Sequence, residues 1–158
     1  MKPVRDWSGL AALEMALLAP FLLTLAIASV DFGAALLAQA RIARALESAA
    51  EYATMAGQNG VSTATISTNA QTIAKAVSNG FLSSPTATAV VSGTTTNMCC
   101  LNVTPWSCSN APTTSCSDGS TPGVYIAITA QYTFTPLFSG DAFLTSRTIG
   151  GSIVAPLQ

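Results

Sequence analysis

Four cysteines, seven carboxylates and six basic side chains make up the reactive inventory of this 158-residue chain, which contains no histidine. Its absence removes the commonest general base near neutral pH and the commonest metal ligand together. Catalysis would fall to Asp31, Glu47, Glu51, Asp118, Asp141 or Lys75, and no two of these stand at a recognisable acid–base or nucleophile–base spacing. The reading is that the chain is not an enzyme, with no catalytic residues, no cofactor and no resident metal. A net charge of −1 excludes a second class, because affinity for nucleic acid comes mainly from clustered cations.

All four cysteines, Cys99, Cys100, Cys108 and Cys116, fall in one stretch rich in Gly, Pro, Ser and Thr. An even count in an oxidising compartment reads as two disulfides. Adjacent cysteines seldom bridge each other, so Cys99 and Cys100 are expected to pair with Cys108 and Cys116, in either of two ways. Each link would hold a loop that is otherwise structureless, contributing about 2 to 3 kcal/mol. A four-thiolate zinc site is the sharper alternative, but the spacing lacks paired Cys-x-x-Cys knuckles. Trp106 reads as a small core for the loop.

The compartment follows from the amino-terminal part of the chain. From Leu10 to Val30 the only charge is Glu14, with mild interruptions at Pro20, Thr24 and Ser29. As a helix this stretch is about 30 Å long, the thickness of a hydrocarbon core. Seven Leu with Phe21, Ile27 and Val30 contribute roughly −4 kcal/mol to insertion. A carboxylate at mid-bilayer costs about 2.5 to 3.5 kcal/mol, less near the edge where Glu14 lies, so insertion wins. Lys2 and Arg5 precede the segment, which places the amino terminus in the cytoplasm and the rest outside. The alternative is a secretory signal cleaved near Ala26-Ile27-Ala28, although the apolar run exceeds the usual signal core of about 7 to 15 residues.

After Asp31 the chain becomes amphipathic. Leu36, Ala40, Ala43, Leu46, Ala50 and Ala53 recur at steps of three and four, with Gln39, Arg41, Arg44, Glu47, Glu51 and Thr54 largely off that stripe. One helix is predicted from about Leu10 to Ala56, stopped by Gly57, Asn59 and Gly60. The stripe reads as packing against the chain's own C-terminal domain, or else as a seam for a partner helix. Small residues four apart (Ala12 and Ala16, Ser29 and Gly33, Ala34 and Ala38) are a weak signal for helix association in lipid. A second helix is predicted over 63–78, with Ile66, Ala70, Ile73 and Val77 on one side and Asn79-Gly80 as its stop. Beyond Pro85 the period becomes two. Val124 to Phe134 is the clearest strand, ended by Pro136, and Thr86 to Ser92 and Thr148 to Ala155 are weaker ones, the last compromised by Gly150-Gly151.

Gly9-Leu10-Ala11-Ala12-Leu13-Glu14 places a Gly, four apolar residues and a Glu where a short basic leader meets the apolar helix. This resembles the processing site of type IV prepilins. Together with Arg5-Asp6-Trp7-Ser8, Leu13-Glu14-Met15-Ala16, Pro20, the Val30-Asp31-Phe32-Gly33 step, Arg41 and Arg44 in an alanine-rich stalk, and Tyr132-Thr133-Phe134-Thr135-Pro136-Leu137, it is similar to the TadE-like family of tight-adherence (Flp) pilus systems. The first 50 residues carry most of the likeness and the cysteine loop carries none. The resemblance implies a pseudopilin or minor pilin, with a prepilin peptidase cutting after Gly9, Leu10 as the new amino terminus and Glu14 as the acidic fifth residue. Met15 departs from the pattern, which often has an aromatic residue there.

The fold class expected is α+β and pilin-like: a long N-terminal transmembrane and stalk helix packed on a small antiparallel sheet, with a disulfide loop. The segments are a leader (1–9), a membrane helix (10–30), its amphipathic extension (31–57) and an extracytoplasmic α+β domain (58–158) carrying the cysteine loop (99–116). The leading functional reading is an assembly component of a tight-adherence pilus or secretion system, single-pass in the bacterial inner membrane. Its partners would be membrane lipid, other pilin or Tad subunits through the helix, and a prepilin peptidase. The alternative is a secreted or surface-displayed binding module with a cleaved signal peptide.

Overall fold

A computed structural model describes residues 8–78, 85–94, 98–103, 106–110, 115–117, 119–136 and 147–157, without the side chains of 8–10, 78 and 102–110. The first element is a single helix, α1 (Ser8–Gln58), of 51 residues that passes through Pro20. Its end is closed in two layers. Val61 N–H bonds to Ala56 C=O and Gly60 N–H to Gly57 C=O, both at 3.0 Å, while Gly60 takes a φ of 71°. That is the paired closure in which a left-handed glycine follows the last helical turn. Ser62 then opens α2 (Thr63–Ser78) by accepting the N–H of Thr65 on its hydroxyl.

The strands are β1 (Thr86–Ser92), β2 (Cys99–Val103), β3 (Trp106–Asn110), β4 (Tyr125–Phe134) and β5 (Arg147–Pro156). β1, β4 and β5 form one antiparallel sheet in the order β1-β4-β5, and β2 pairs with β3 in a separate hairpin. The fold is thus α+β, a long apolar helix against a three-stranded antiparallel sheet. On β4 the predicted alternation holds: Ile126, Ile128, Ala130, Tyr132 and Phe134 are buried, and Tyr125, Ala127, Thr129, Gln131 and Thr133 form the outer face. Ile126 and Ile128 have no exposed surface.

One cluster joins the layers, with Ile42, Leu46, Ala49 and Ala53 of α1, Ile66, Ala70 and Ala74 of α2, Ala87 and Ala89 of β1, and the inner face of β4. Alanines at the helix contact allow α1 and α2 to approach closely, and the Asn69 side-chain amide donates to the Tyr52 hydroxyl across them at 2.7 Å. Ser67 ties α2 to β1 by donating to Ala89 C=O at 2.7 Å. Glycines admit β5 to the helix. A Cβ on Gly151 would lie 3.0 Å from Leu46 Cδ1, and one on Gly150 would lie 2.9 Å from Gln131 Cγ. Of the pair that weakened the strand signal, Gly151 is therefore what lets this strand reach α1, while Gly150 makes room for β4.

Three expectations are corrected. The buried apolar positions of α1 are Ala38, Ile42, Ala45, Leu46, Ala49, Ala50, Ala53 and Ala56, whereas Leu36, Ala40 and Ala43 are exposed. Two layers cover the helix from different sides, α2 and the sheet, so the buried arc is wider than one stripe and differently centred. On α2, Val77 is 44% exposed and Ala74 takes the buried place beside Ile66 and Ala70. The cysteine segment, expected to be structureless apart from its bridges, is partly an antiparallel hairpin in which Cys100 stands opposite Ser109 and Leu101 opposite Cys108.

Candidate functional site

The folded layers use only part of α1. From Ala11 to Ala26 every residue is exposed, Ile27 and Ala28 are half-buried, and Ser29 and Val30 are exposed again. Leu17 and Leu22 expose 71% and 52% of their surface, and Phe21 64%. Such a surface is unfavourable in water and favourable in hydrocarbon, and the helix is long and apolar enough to cross a membrane. The two hydroxyls within it are satisfied internally: Thr24 donates to Phe21 C=O and Ser29 to Ala26 C=O, each at 2.8 Å. That is what an apolar solvent requires of a polar side chain on a spanning helix.

Gly9 and Leu10 lie in the first turns of α1, and Glu14, one turn on, is exposed on the apolar half. Lys2 and Arg5, which set the expected orientation, lie outside the described residues. Ala12 and Ala16 are open, and the space where a Gly33 side chain would project is empty to 4 Å. Ala38 is buried and Ala34 half-buried, so the third small pair serves the chain's own core.

Asp31 marks the junction. It is fully buried, the first such side chain along α1, and it stands between the exposed apolar half and the half that carries the domain. The sequence marks it as one carboxylate among several, as the point where the helix turns amphipathic and as part of the Val30-Asp31-Phe32-Gly33 step. Its burial is the signal that sequence reasoning missed, and an aspartate alone in an apolar run could have suggested it, because a charge there must be shielded or face a partner.

Past the junction, clefts follow the line where β5 meets α1. One of about 190 Å³ is lined by Phe32, Leu36, Gln39, Phe134, Arg147 and Ile149. A second of about 260 Å³ lies between Ile42, Leu46 and Gly150 to Ile153. A third, about 550 Å³, lies between Glu47, Glu51, Met55 and Ile153 to Pro156. These contacts show that β5 runs away from the apolar half, so β4 runs toward it. The cysteine hairpin, joined through the bridge between Cys99 and Gly123 just before β4, therefore sits at the far end of the domain.

There the structure pairs Cys100 with Cys116, Cα atoms 5.6 Å apart. Cys99 is disulfide-bonded too, and no described cysteine is free. Sulfurs held in disulfides cannot serve as thiolate ligands to zinc. The side chains of Cys108 and Trp106 lie outside the described residues. From Glu14 to the end of α1 is roughly 65 Å at ~1.5 Å per residue, so the residues of the expected processing motif and the cysteines stand at opposite ends of the molecule and form no common site.

Residues 9–51 match the family model described as TadE-like protein. The match covers the exposed apolar half, the Asp31 junction and most of the stalk, the same portion whose motifs resemble that family. No curated protein and no solved structure matches the chain.

Proposed function

We propose that the chain is a non-enzymatic assembly component, a pseudopilin or minor pilin, of a tight-adherence pilus or secretion system, anchored in the bacterial inner membrane with its amino terminus in the cytoplasm and its sheet domain outside. One observation carries this reading: the segment that matches the TadE-like family contains an apolar half-helix that the fold leaves uncovered from Ala11 to Ala26. Lipid supplies the cover for an isolated subunit, and neighbouring pilin or Tad subunits supply it in an assembly. A prepilin peptidase cutting after Gly9 is the processing partner consistent with the Gly9-Leu10-x3-Glu14 pattern.

Glu14 is the residue that would distinguish assembly from mere anchoring. It lies roughly 6 Å along the helix from Leu10, inside the edge of the hydrocarbon, where an unpaired charge is costly. After cleavage, the new amino group of Leu10, on the same or a neighbouring subunit, is a cation of suitable reach, and in a low dielectric the pair sets axial register. The test is Glu14→Gln in a complemented deletion strain, scored for membrane level and for piliation or secretion. The reading expects a normal membrane level with impaired assembly. Full function at normal level would show Glu14 to be only a tolerated residue at a membrane edge.

A further inference from the structure

The position of Asp31 decides how deep the domain sits. Asp31 is the only charged residue between Glu14 and Arg41, and it placed the end of the membrane helix at Val30 in the sequence. In the fold its side chain is fully buried, so the outward surface of α1 carries no charge until Arg41. That surface stays apolar past the junction, with Phe32 exposed by 59%, Leu36 by 51% and Leu37 by 57%. From Ala11 to Leu37 the helix measures about 40 Å, more than the ~30 Å hydrocarbon core and close to the ~40–45 Å of a bilayer with its headgroup layers.

We infer that the membrane-side end of the domain is seated in the outer headgroup layer, with the cleft of Phe32, Leu36, Phe134 and Ile149 taking the glycerol and upper acyl region of a phospholipid and Arg147 binding its phosphate. Two observations support it. The cleft is continuous with the apolar surface of the spanning helix. Arg147 is exposed at its rim and is the only charged residue lining it among the described residues. A guanidinium is the side chain best matched to a phosphate, presenting paired N–H donors. Gln39, also lining the cleft, adds a neutral polar side chain at the level where the helix leaves the headgroups. The seat explains how a fold can expose Phe32 and Leu36 beside its own core, since interfacial lipid covers them.

The inference rests on the anchored reading, and the experiment separates the two. The full chain is placed in phospholipid nanodiscs in a Trp7→Phe, Trp106→Phe background, with one tryptophan at Val30, Leu36 or Met55, each exposed in the fold. Quenching by lipids brominated near the headgroup is then measured. Strong quenching at 30 and at 36 with none at 55 is the expected result. Quenching at 30 without quenching at 36 overturns the seat and leaves the anchor standing, and no quenching at either overturns both. For Arg147, amide exchange at the ends of β4 and β5 is compared in phosphatidylglycerol and phosphatidylcholine discs. Arg147→Gln is expected to lower the ratio of protection between the two lipids about fivefold, the factor for one basic residue at an anionic surface. An unchanged ratio overturns the phosphate assignment.

Discussion

Gly57 shows how a residue reads one way along the chain and another in space. Beside Asn59 and Gly60 it resembles a helix terminator, yet it lies inside α1, and Gly60 supplies the left-handed turn. What holds the position to glycine is the last strand's end, since a Cβ there would come within 2.5 Å of the Leu157 carbonyl oxygen. In an isolated helix Gly→Ala gains about 1 kcal/mol. Here overlap with backbone outweighs that gain, and Gly57→Ala is expected to destabilise the domain by about 1 to 3 kcal/mol in denaturant unfolding. The constraint was not legible because it depends on a residue at the other end of the chain. Cysteine connectivity was illegible for a different reason. Exchanging Cys99 for Cys100 changes each loop by one residue, and loop entropy varies only with the logarithm of length. Replacing Cys100 and Cys116 by Ser should cost the hairpin region about 3 kcal/mol, seen as faster amide exchange in β2 and β3 with β4 unchanged. Protein recovered from the native envelope should show no reactive thiols when denatured without reductant.

Among the elements, β4 was the most legible because its inner face carries large apolar side chains in strict alternation. Ile128, fully buried at the centre of the sheet, is expected to cost about 2 to 5 kcal/mol on substitution by Ala. Val90, 55% exposed on the neighbouring strand, should change stability by less than about 0.5 kcal/mol under the same replacement. Comparable losses at the two positions in urea unfolding would contradict the observed facing of the sheet. The phase of α1 was harder to read. Alanine recurs on all sides of the stalk, so periodicity does not separate the buried Ala45 and Ala49 from the exposed Ala40 and Ala43. The β2–β3 hairpin gave little signal because its five-residue strands are mostly Cys, Asn and Ser, with Val103 and Trp106 as their only strong strand formers.

At the scale of the whole molecule, α1 divides in two: about half of it is covered by the chain's own sheet and second helix, and the other half is exposed and apolar, the surface that the proposed function assigns to lipid or neighbouring subunits. This division was legible in the change from all-round apolar to amphipathic near Asp31, whereas the proposed depth of the domain was not, because it turns on the burial of that single carboxylate, which the sequence alone does not show. The anchor follows from retention of the apolar half, and the opposing account requires its removal. The decisive measurement is the intact mass of the protein extracted from its native envelope, with sequencing of its amino terminus. The account predicts a chain beginning at Met1 or, after processing, at Leu10, retained in membranes through a carbonate wash. A soluble chain beginning near Ser29, lacking the apolar segment, would contradict it.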